Sequence, residues 1–437
     1  MVSKTKKKSS KKKKMFSDLR KKYIENYSGF PKEIWILALI TFINRTGTMV
    51  IPFLSKYMRE NLHFEYNQIG WVMVCFGVGS FIGTWLSGVL SDKIGFYKVM
   101  IGSLFGSGLI FFALQYTTSF EGFCIAILFL TTVADMFRPA MLVSLNTYTR
   151  KENKTRALAL VRAATSLGFL FGPPLGGLII ILIGYKYLFY VDAATCILAV
   201  LVFVLLVKER KLPFKLKTHN IGVDKYAILK DRTFIMHMFI SLITGIMYFQ
   251  VFTTLTLYHK EQFNLSEINS GLLLSFSGIL TLVFELPIVN YVEKNKMNKL
   301  NVIMVGLSFM VLSYVLLLLN DKWYGILYVM MFFMTLGVML TFPFSNSFAM
   351  TRSHNNQEGR YMSVFTMSFS LAHILSAKTG MEIVAYASYR ADFIFMSLIG
   401  LLAITLCYWL VKTVEKETIE TKIKIVQSIF VDKSKKR

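Results

Sequence analysis

The sequence predicts an all-α integral membrane protein of twelve transmembrane helices in two six-helix pseudo-repeat bundles. Three observations carry this. The 437-residue chain is 54% hydrophobic and only 17% charged, where soluble domains carry about 25% charged residues. Apolar stretches of the roughly 20 residues needed to cross a bilayer recur along the whole chain. Lys and Arg gather in alternate connections between those stretches.

The chain opens with a basic tail, 1–33, holding Lys6 to Lys8 and Lys11 to Lys14. It lacks the short charged segment of a signal peptide, so no cleavable leader is expected. Six apolar spans follow at 34–54, 66–90, 97–117, 121–147, 157–184 and 187–207, forming a first bundle over 34–207. The connection 208–233 is the longest internal one and is strongly basic, which suits a linker between bundles. Six more spans, 234–257, 268–291, 299–319, 323–349, 361–387 and 391–412, form a second bundle over 234–412. A second basic tail, 413–437, ends the chain.

The connections report orientation. One side carries Lys93 and Lys98, then Arg150, Lys151, Lys154 and Arg156, then Lys208 through Arg232, then Lys294, Lys296 and Lys299, then Arg352 and Arg360. The other side carries Lys56, Arg59, Lys186, Lys260, Lys322 and Arg390. The bias has one sign at every connection, which predicts a multi-pass protein of the cell (inner) membrane with both termini cytoplasmic.

The two halves also resemble each other. A shift of 204 residues aligns Arg156 with Arg360 and Gly176 with Gly380, and a shift of 201 aligns Asp92-Lys93 with Glu293-Lys294. Duplicated halves rocking about a central site are a common transporter design.

A net charge of +24 suggests nucleic acid at first sight. Its confinement to tails and one set of loops points instead to topology and to anionic membrane lipids, and no nucleic-acid partner is expected. Cys75, Cys124, Cys196 and Cys407 lie inside apolar stretches without CxxC spacing and read as small buried hydrophobes. No cluster has metal-ligand spacing and no P-loop is present, so neither a metal, another cofactor nor an ATP motor is expected. His219 and Asp224 match an acyltransferase HxxxxD pattern, but the short linker leaves no room for a catalytic domain.

The loop after the second span reads Gly88-Val-Leu-Ser-Asp92-Lys93-Ile-Gly95-Phe-Tyr-Lys98. It is a tight charged turn, with glycines permitting the turn and a carboxylate placed for a helix N-terminus. It resembles motif A of the major facilitator superfamily, where this cluster latches the two halves on the cytoplasmic side. The fifth span contains Gly168-Phe-Leu-Phe-Gly172-Pro173-Pro174-Leu-Gly176-Gly177. Small residues at four-residue spacing allow close helix approach, and proline bends a helix and releases a carbonyl. This stretch resembles motif C, the antiporter motif of the twelve-helix drug:proton antiporter branch. The second half departs from these patterns: Glu293-Lys294 lacks the motif A glycines, and Lys378 stands where the repeat would place Pro174. Of motif B only Arg138 transfers, within Asp135-Met-Phe-Arg138-Pro139-Ala140.

Ionisable residues at mid-membrane are costly unless paired or hydrated, so they are functional candidates. Arg45 lies midway along the first span, and Asp135 and Arg138 lie one turn apart midway along the fourth. The resemblance implies that spans 1, 4, 7 and 10 line a central cavity, which makes these three a candidate proton-coupling and substrate site with Asp135 as the protonatable carboxylate. A permanently ionised structural cluster is the other reading. The resemblance also places spans 5 and 8 side by side, so an Arg162–Glu285 contact that opens and closes is expected, against two charges that snorkel separately. Lys378 and Glu382 are four residues apart and are expected to neutralise each other on one helix face. His373 reads as a packed polar residue.

The residues and the resemblance therefore point to a secondary transporter and not an enzyme. The leading expectation is a monomeric proton-coupled antiporter exporting amphipathic or cationic small molecules. The alternative is a proton-coupled symporter importing a small organic solute such as a peptide. Asn44-Arg45-Thr-Gly47 is faintly similar to the start of peptide transporters, but Thr41 and Asn44 stand where that family needs Glu. A non-transporting membrane enzyme or receptor is the remote third reading.

Overall fold

The computed structural model describes residues 30–47, 49–149, 154–210, 230–319, 323–352 and 358–435. The tail 1–29 and most of the linker, 211–229, lie outside the described residues, and with them His219 and Asp224. So do the side chains of Asp92, Arg156 and Arg360.

The first bundle consists of α1 (Lys32–Thr46), α2 (Val50–Glu60), α3 (Tyr66–Ile94), α4 (Phe96–Leu114), α5 (Phe120–Ala134), α6 (Phe137–Tyr148), α7 (Lys154–Ile183) and α8 (Tyr185–Leu206). The second consists of α9 (Arg232–Phe249), a single 3-10 turn Gln250–Phe252, α10 (Thr254–Phe263), α11 (Glu267–Lys294), α12 (Lys299–Leu319), α13 (Gly325–Arg352), α14 (Glu358–Tyr386) and α15 (Tyr389–Lys435). Spans 1, 4 and 7 are each made of two helices, so the sixteen elements make twelve crossings. Eleven of these are long and apolar enough to cross a membrane by length and composition among the described residues. The twelfth, α14, is more polar because it carries His373, Lys378 and Glu382.

Helices form here because a bilayer offers backbone groups no water, so each crossing must satisfy its own N–H and C=O groups. The outer faces remain apolar: Trp85, Leu182, Leu205 and Trp409 are each more than half exposed. Each bundle has its own interior. Ile34, Phe96, Met141 and Phe203 pack in one cluster, and Ile240, Ile303, Phe348 and Cys407 in another. By the alternation of the crossings, the described basic connections at 93–98 and 294–299 fall at one end of the bundles, here termed the basic face. The last helix runs past the expected span end at 412 and on to Lys435.

Candidate functional site

Three of the four helices expected around the cavity are interrupted at mid-span. Span 1 breaks between Thr46 and Val50, span 4 between Ala134 and Phe137, and span 7 at Gln250–Thr253. Irregular backbone at this depth survives where protein groups take up the released polar atoms, and the breaks of spans 4 and 1 show how. At span 4, Ser87 Oγ donates to the carbonyl of Met136 at 2.7 Å and Ser103 Oγ to that of Val133 at 2.7 Å. At span 1, the backbone N–H groups of Met49 and Val50 donate to the two carboxylate oxygens of Asp192, each at 3.1 Å. Asp192 is 0% exposed, so this α8 carboxylate acts as a remote N-cap for α2. Gly47 belongs to the same contact, since a Cβ there would overlap the side chain of Thr195 on α8.

The charged trio sits at two of these breaks. Arg45 occupies the last turn of α1. Asp135 is the C-cap of α5, its N–H donating to Thr131 O. Arg138 is in the first turn of α6. Asp135 and Arg138 both lie close enough to act electrostatically on Arg45. Arg45 and Asp135 are half-buried and Arg138 is exposed, so the cluster has an open side.

The motif C residues line up under this site. A Cβ on Gly168 would press into Arg45, one on Gly172 would stand 3.1 Å from the Thr46 carbonyl, and one on Gly176 would stand 3.0 Å from Met49 Cβ. The small face of α7 thus seats the break of span 1. Gly177 and Pro173 face the other way: a Cβ on Gly177 would meet the backbone of Glu267, and one on Gly271 would meet that of Pro173. Pro174 has no N–H for the carbonyl four residues back, which is that of Leu170. Ser275 of the second bundle supplies the missing donor, its Oγ donating to Leu170 O at 2.6 Å.

The two bundles meet closely at the face opposite the basic one. Glu261 of α10 accepts from Tyr66 at 2.6 Å and from Tyr389 at 2.7 Å, with Arg59 at 3.8 Å. Lys260 pairs with Glu60 at 3.6 Å and Glu267 at 2.9 Å. Lys56, 0% exposed, donates to Ser270 Oγ at 2.8 Å. Lys378 lies 2.8 Å from Glu382 on the same helix face, and it also donates to Asn67 of the first bundle at 2.6 Å and sits over the Trp71 ring. His373 stacks on Phe76 and packs against the tilted ring of Phe249.

Toward the basic face the bundles separate. Arg162 and Glu285 are brought together at 3.4 Å, but through the tips of long side chains, where Gly177 and Glu267 have backbone within reach. On α3, Gly70 and Gly77 abut α14, whereas nothing lies within 4 Å of a Cβ on Gly88 or Gly95 of motif A. Gly95 turns the chain between α3 and α4 with φ +89°, a conformation that favours glycine. Lys93 and Lys98 are exposed there.

Sequence reasoning passed over Asp192, Glu60, Glu261 and Glu267. Asp192 carried a usable signal, an acid within an apolar span, but it stands near the end of that span, where charges are ordinary. The other three look like loop residues until the fold brings the bundle ends together.

A family profile for the Major Facilitator Superfamily matches residues 35–377. The chain belongs to the Major Facilitator Superfamily. Among its superfamily relatives, the quinolone resistance protein NorA of Staphylococcus aureus (strain COL) is 23% identical over 299 residues, 67% of this chain and 75% of that protein. Multidrug resistance protein 1 of Bacillus subtilis (strain 168) is 28% identical over 186 residues, 41% of this chain and 46% of the relative. The MFS-type transporter YuxJ of the same organism is 27% identical over 178 residues, 40% of this chain and 45% of the relative. The match thus spans less than half the length of the last two. Among solved structures, a POT family transporter in complex with 5-aminolevulinic acid superposes with a TM-score of 0.77 at 13% identity, covering 89% of this chain and 97% of that one. The nucleoside transporter NupG gives 0.71 at 17% identity, covering 87% of this chain and 100% of that one. These superpositions establish the fold of a superfamily transporter.

Proposed function

We propose that this transporter is a proton-coupled antiporter that exports amphipathic, often cationic, small molecules. The observation that carries the reading is the seating of motif C beneath the charged trio. Gly168 and Gly172 hold α7 against the broken backbone at Arg45 and Thr46. Movement of α7 relative to the second bundle is therefore transmitted directly to the half-buried Asp135 and its arginine neighbours. Protonation of Asp135 loosens its hold on arginine, and a cationic substrate competes for the same carboxylate. The similarity to a quinolone resistance protein and a multidrug resistance protein supports the same substrate class.

The bias of Lys and Arg supports an orientation with both termini in the cytoplasm of a bacterial cell, the basic tails beside anionic lipids; the working unit of this reading is the monomer. The face sealed by Lys56, Glu261 and Lys378 is then the outer one, and the conformation faces inward. The Arg162–Glu285 pair works as an inner contact that changes as the bundles rock.

The test is proton release from acidified proteoliposomes challenged with lipophilic cations, anions and peptides, with Asp135→Asn in parallel. Cation-driven proton release that the variant loses supports the reading. Flux driven by peptides or anions overturns the export assignment and moves attention to Arg45, Arg138 and Lys378.

A further inference from the structure

The two bundles carry the same device in two different states. In the first, Tyr57 packs on Phe189 with ring centroids 5.1 Å apart. In the second, Tyr258 packs on Tyr389 at 5.2 Å. Tyr258 lies 201 residues after Tyr57, and Tyr389 lies 200 after Phe189. The same 200-residue shift carries Asp192 onto Asp392, and Asp392 is likewise 0% exposed.

The pair part company at their ligands. Asp192 takes both N–H groups at the break of span 1. Neither carboxylate oxygen of Asp392 has a hydrogen-bond partner among the described residues. The reason lies across from it in span 7. Positions matching Met49 and Val50 by the 201 shift are Gln250 and Val251, and they are wound into a 3-10 turn. There the Gln250 N–H donates within its own span, to Tyr248 O, and Thr253 N closes the turn on Gln250 O at 3.2 Å. The start of α15 packs along this stretch: Phe393 lies 4.9 Å from Tyr258, and a Cβ on Gly400 would touch Met247.

Arg390, two residues before Asp392 on α15, is exposed, and the titratable groups of the helices around α15 have partners of their own. On α12, Tyr314 feels its field but donates its own proton to Met247 O at 2.5 Å. On α10, Lys260 is held by Glu60 and Glu267, and Glu261 by Tyr66 and Tyr389; His259 is buried against the Lys56 side. On α14, Lys378 is held by Glu382 and Asn67. On α9, His237 bonds Ser345 O. An isolated buried carboxylate facing no cation and no donor neutralises instead of remaining ionised.

We infer that Asp392 is a second proton-binding carboxyl, loaded while the Gln250–Phe252 turn is wound. When span 7 opens into the form span 1 already shows, the N–H groups of Gln250 and Val251 reach Asp392 as those of Met49 and Val50 reach Asp192. In that open form Asp392 stands as a capped carboxylate, and it takes a proton from the outer water as the turn rewinds and the face seals, the inward proton movement that an exporting antiporter needs. Span 7 is the moving copy of the device and span 1 the fixed one. This rests on the reading that transport is proton-coupled, but not on Asp135 being the coupling residue.

The experiment uses the full chain with spin labels at Lys186→Cys and Arg390→Cys, in a background lacking the four native cysteines. These exposed sites flank the sealed face in the two bundles. The distance distribution of the parent shifts toward the open form as pH rises. Asp392→Asn stays sealed at every pH, while Asp135→Asn keeps the pH shift. A pH response in Asp392→Asn equal to that of the parent overturns the inference. Infrared spectra of the unsubstituted protein labelled with 13C-aspartate give a second readout that needs no Asp392 variant. A protonated-aspartate band from a hydrogen-bond-free site supports the inference in the sealed form, and its absence there overturns it. Proton flux retained by Asp135→Asn would count against the first-bundle site alone.

Discussion

The carbonyl of Leu170 and the hydroxyl of Ser275 join the two bundles through a hydrogen bond of 2.6 Å that exists because Pro174 cannot donate. The proline of motif C therefore creates an acceptor, and the opposite bundle answers it. In membranes such side-chain bonds contribute about 0.6–2 kcal/mol. Ser275→Ala should raise the population with the sealed face open by about 3- to 30-fold, the same energy expressed as a ratio. Spin-label distances between Lys186→Cys and Arg390→Cys would read this, and an unchanged distribution would show that the bond holds nothing shut.

Gly177→Val tests the companion contact. A side chain there meets the backbone of Glu267, which cannot yield as a flexible side-chain tip does. The variant should fold, lose the sealed conformation and lose substrate flux. Normal flux in proteoliposomes would mean that the helices α7 and α11 do not need this close approach.

Asp192→Ala removes the acceptor for two backbone donors at the break of span 1. Each buried donor left without a partner costs about 1–3 kcal/mol. The thermal midpoint in detergent should fall clearly, and Asp192→Asn, which keeps one carbonyl oxygen, should fall less. Equal stability of all three proteins would remove the capping role.

Asp135→Asn should abolish proton-coupled flux with the fold intact, and Asp135→Glu should retain part of it. Retained coupling in Asp135→Asn would leave the trio as a structural cluster.

Lys56 is fully buried at the junction of the bundles and bonded to Ser270. Its amine is held by a hydroxyl while Glu267 keeps Lys260, so an apolar side chain of similar volume removes a desolvated charge without leaving a carboxylate stripped of its partner. Lys56→Met should therefore favour the sealed form and slow turnover without unfolding the protein. A cysteine pair replacing Arg162 and Glu285, whose contact is made by the tips of long side chains, is too short to bridge while the basic face is apart and should crosslink when that face closes, trapping the closed state. Failure to crosslink would leave the two charges as independent snorkelling groups.

The sequence by itself determined that the chain crosses a membrane twelve times in two related halves, because lipid admits helices and little else, and apolar length is visible residue by residue. It also determined Gly168, Gly172, Pro173, Gly176 and Gly177 as a close-packing face and singled out Arg45, Asp135 and Arg138, because charge at mid-span is rare and costly. The partners were decided by tertiary structure. That Leu170 bonds Ser275, that Asp192 caps α2 while Asp392 caps nothing, and that Glu261 gathers Tyr66 and Tyr389 depends on contacts between residues more than 100 apart in the chain. The breaks in spans 1, 4 and 7 were equally hidden: polar residues such as Arg45, Asp135 and Gln250 mark the depth, but apolar residues flank them and a continuous helix fits each span as well. They persist because carboxylates and hydroxyls from neighbouring helices take up the backbone groups that each break releases.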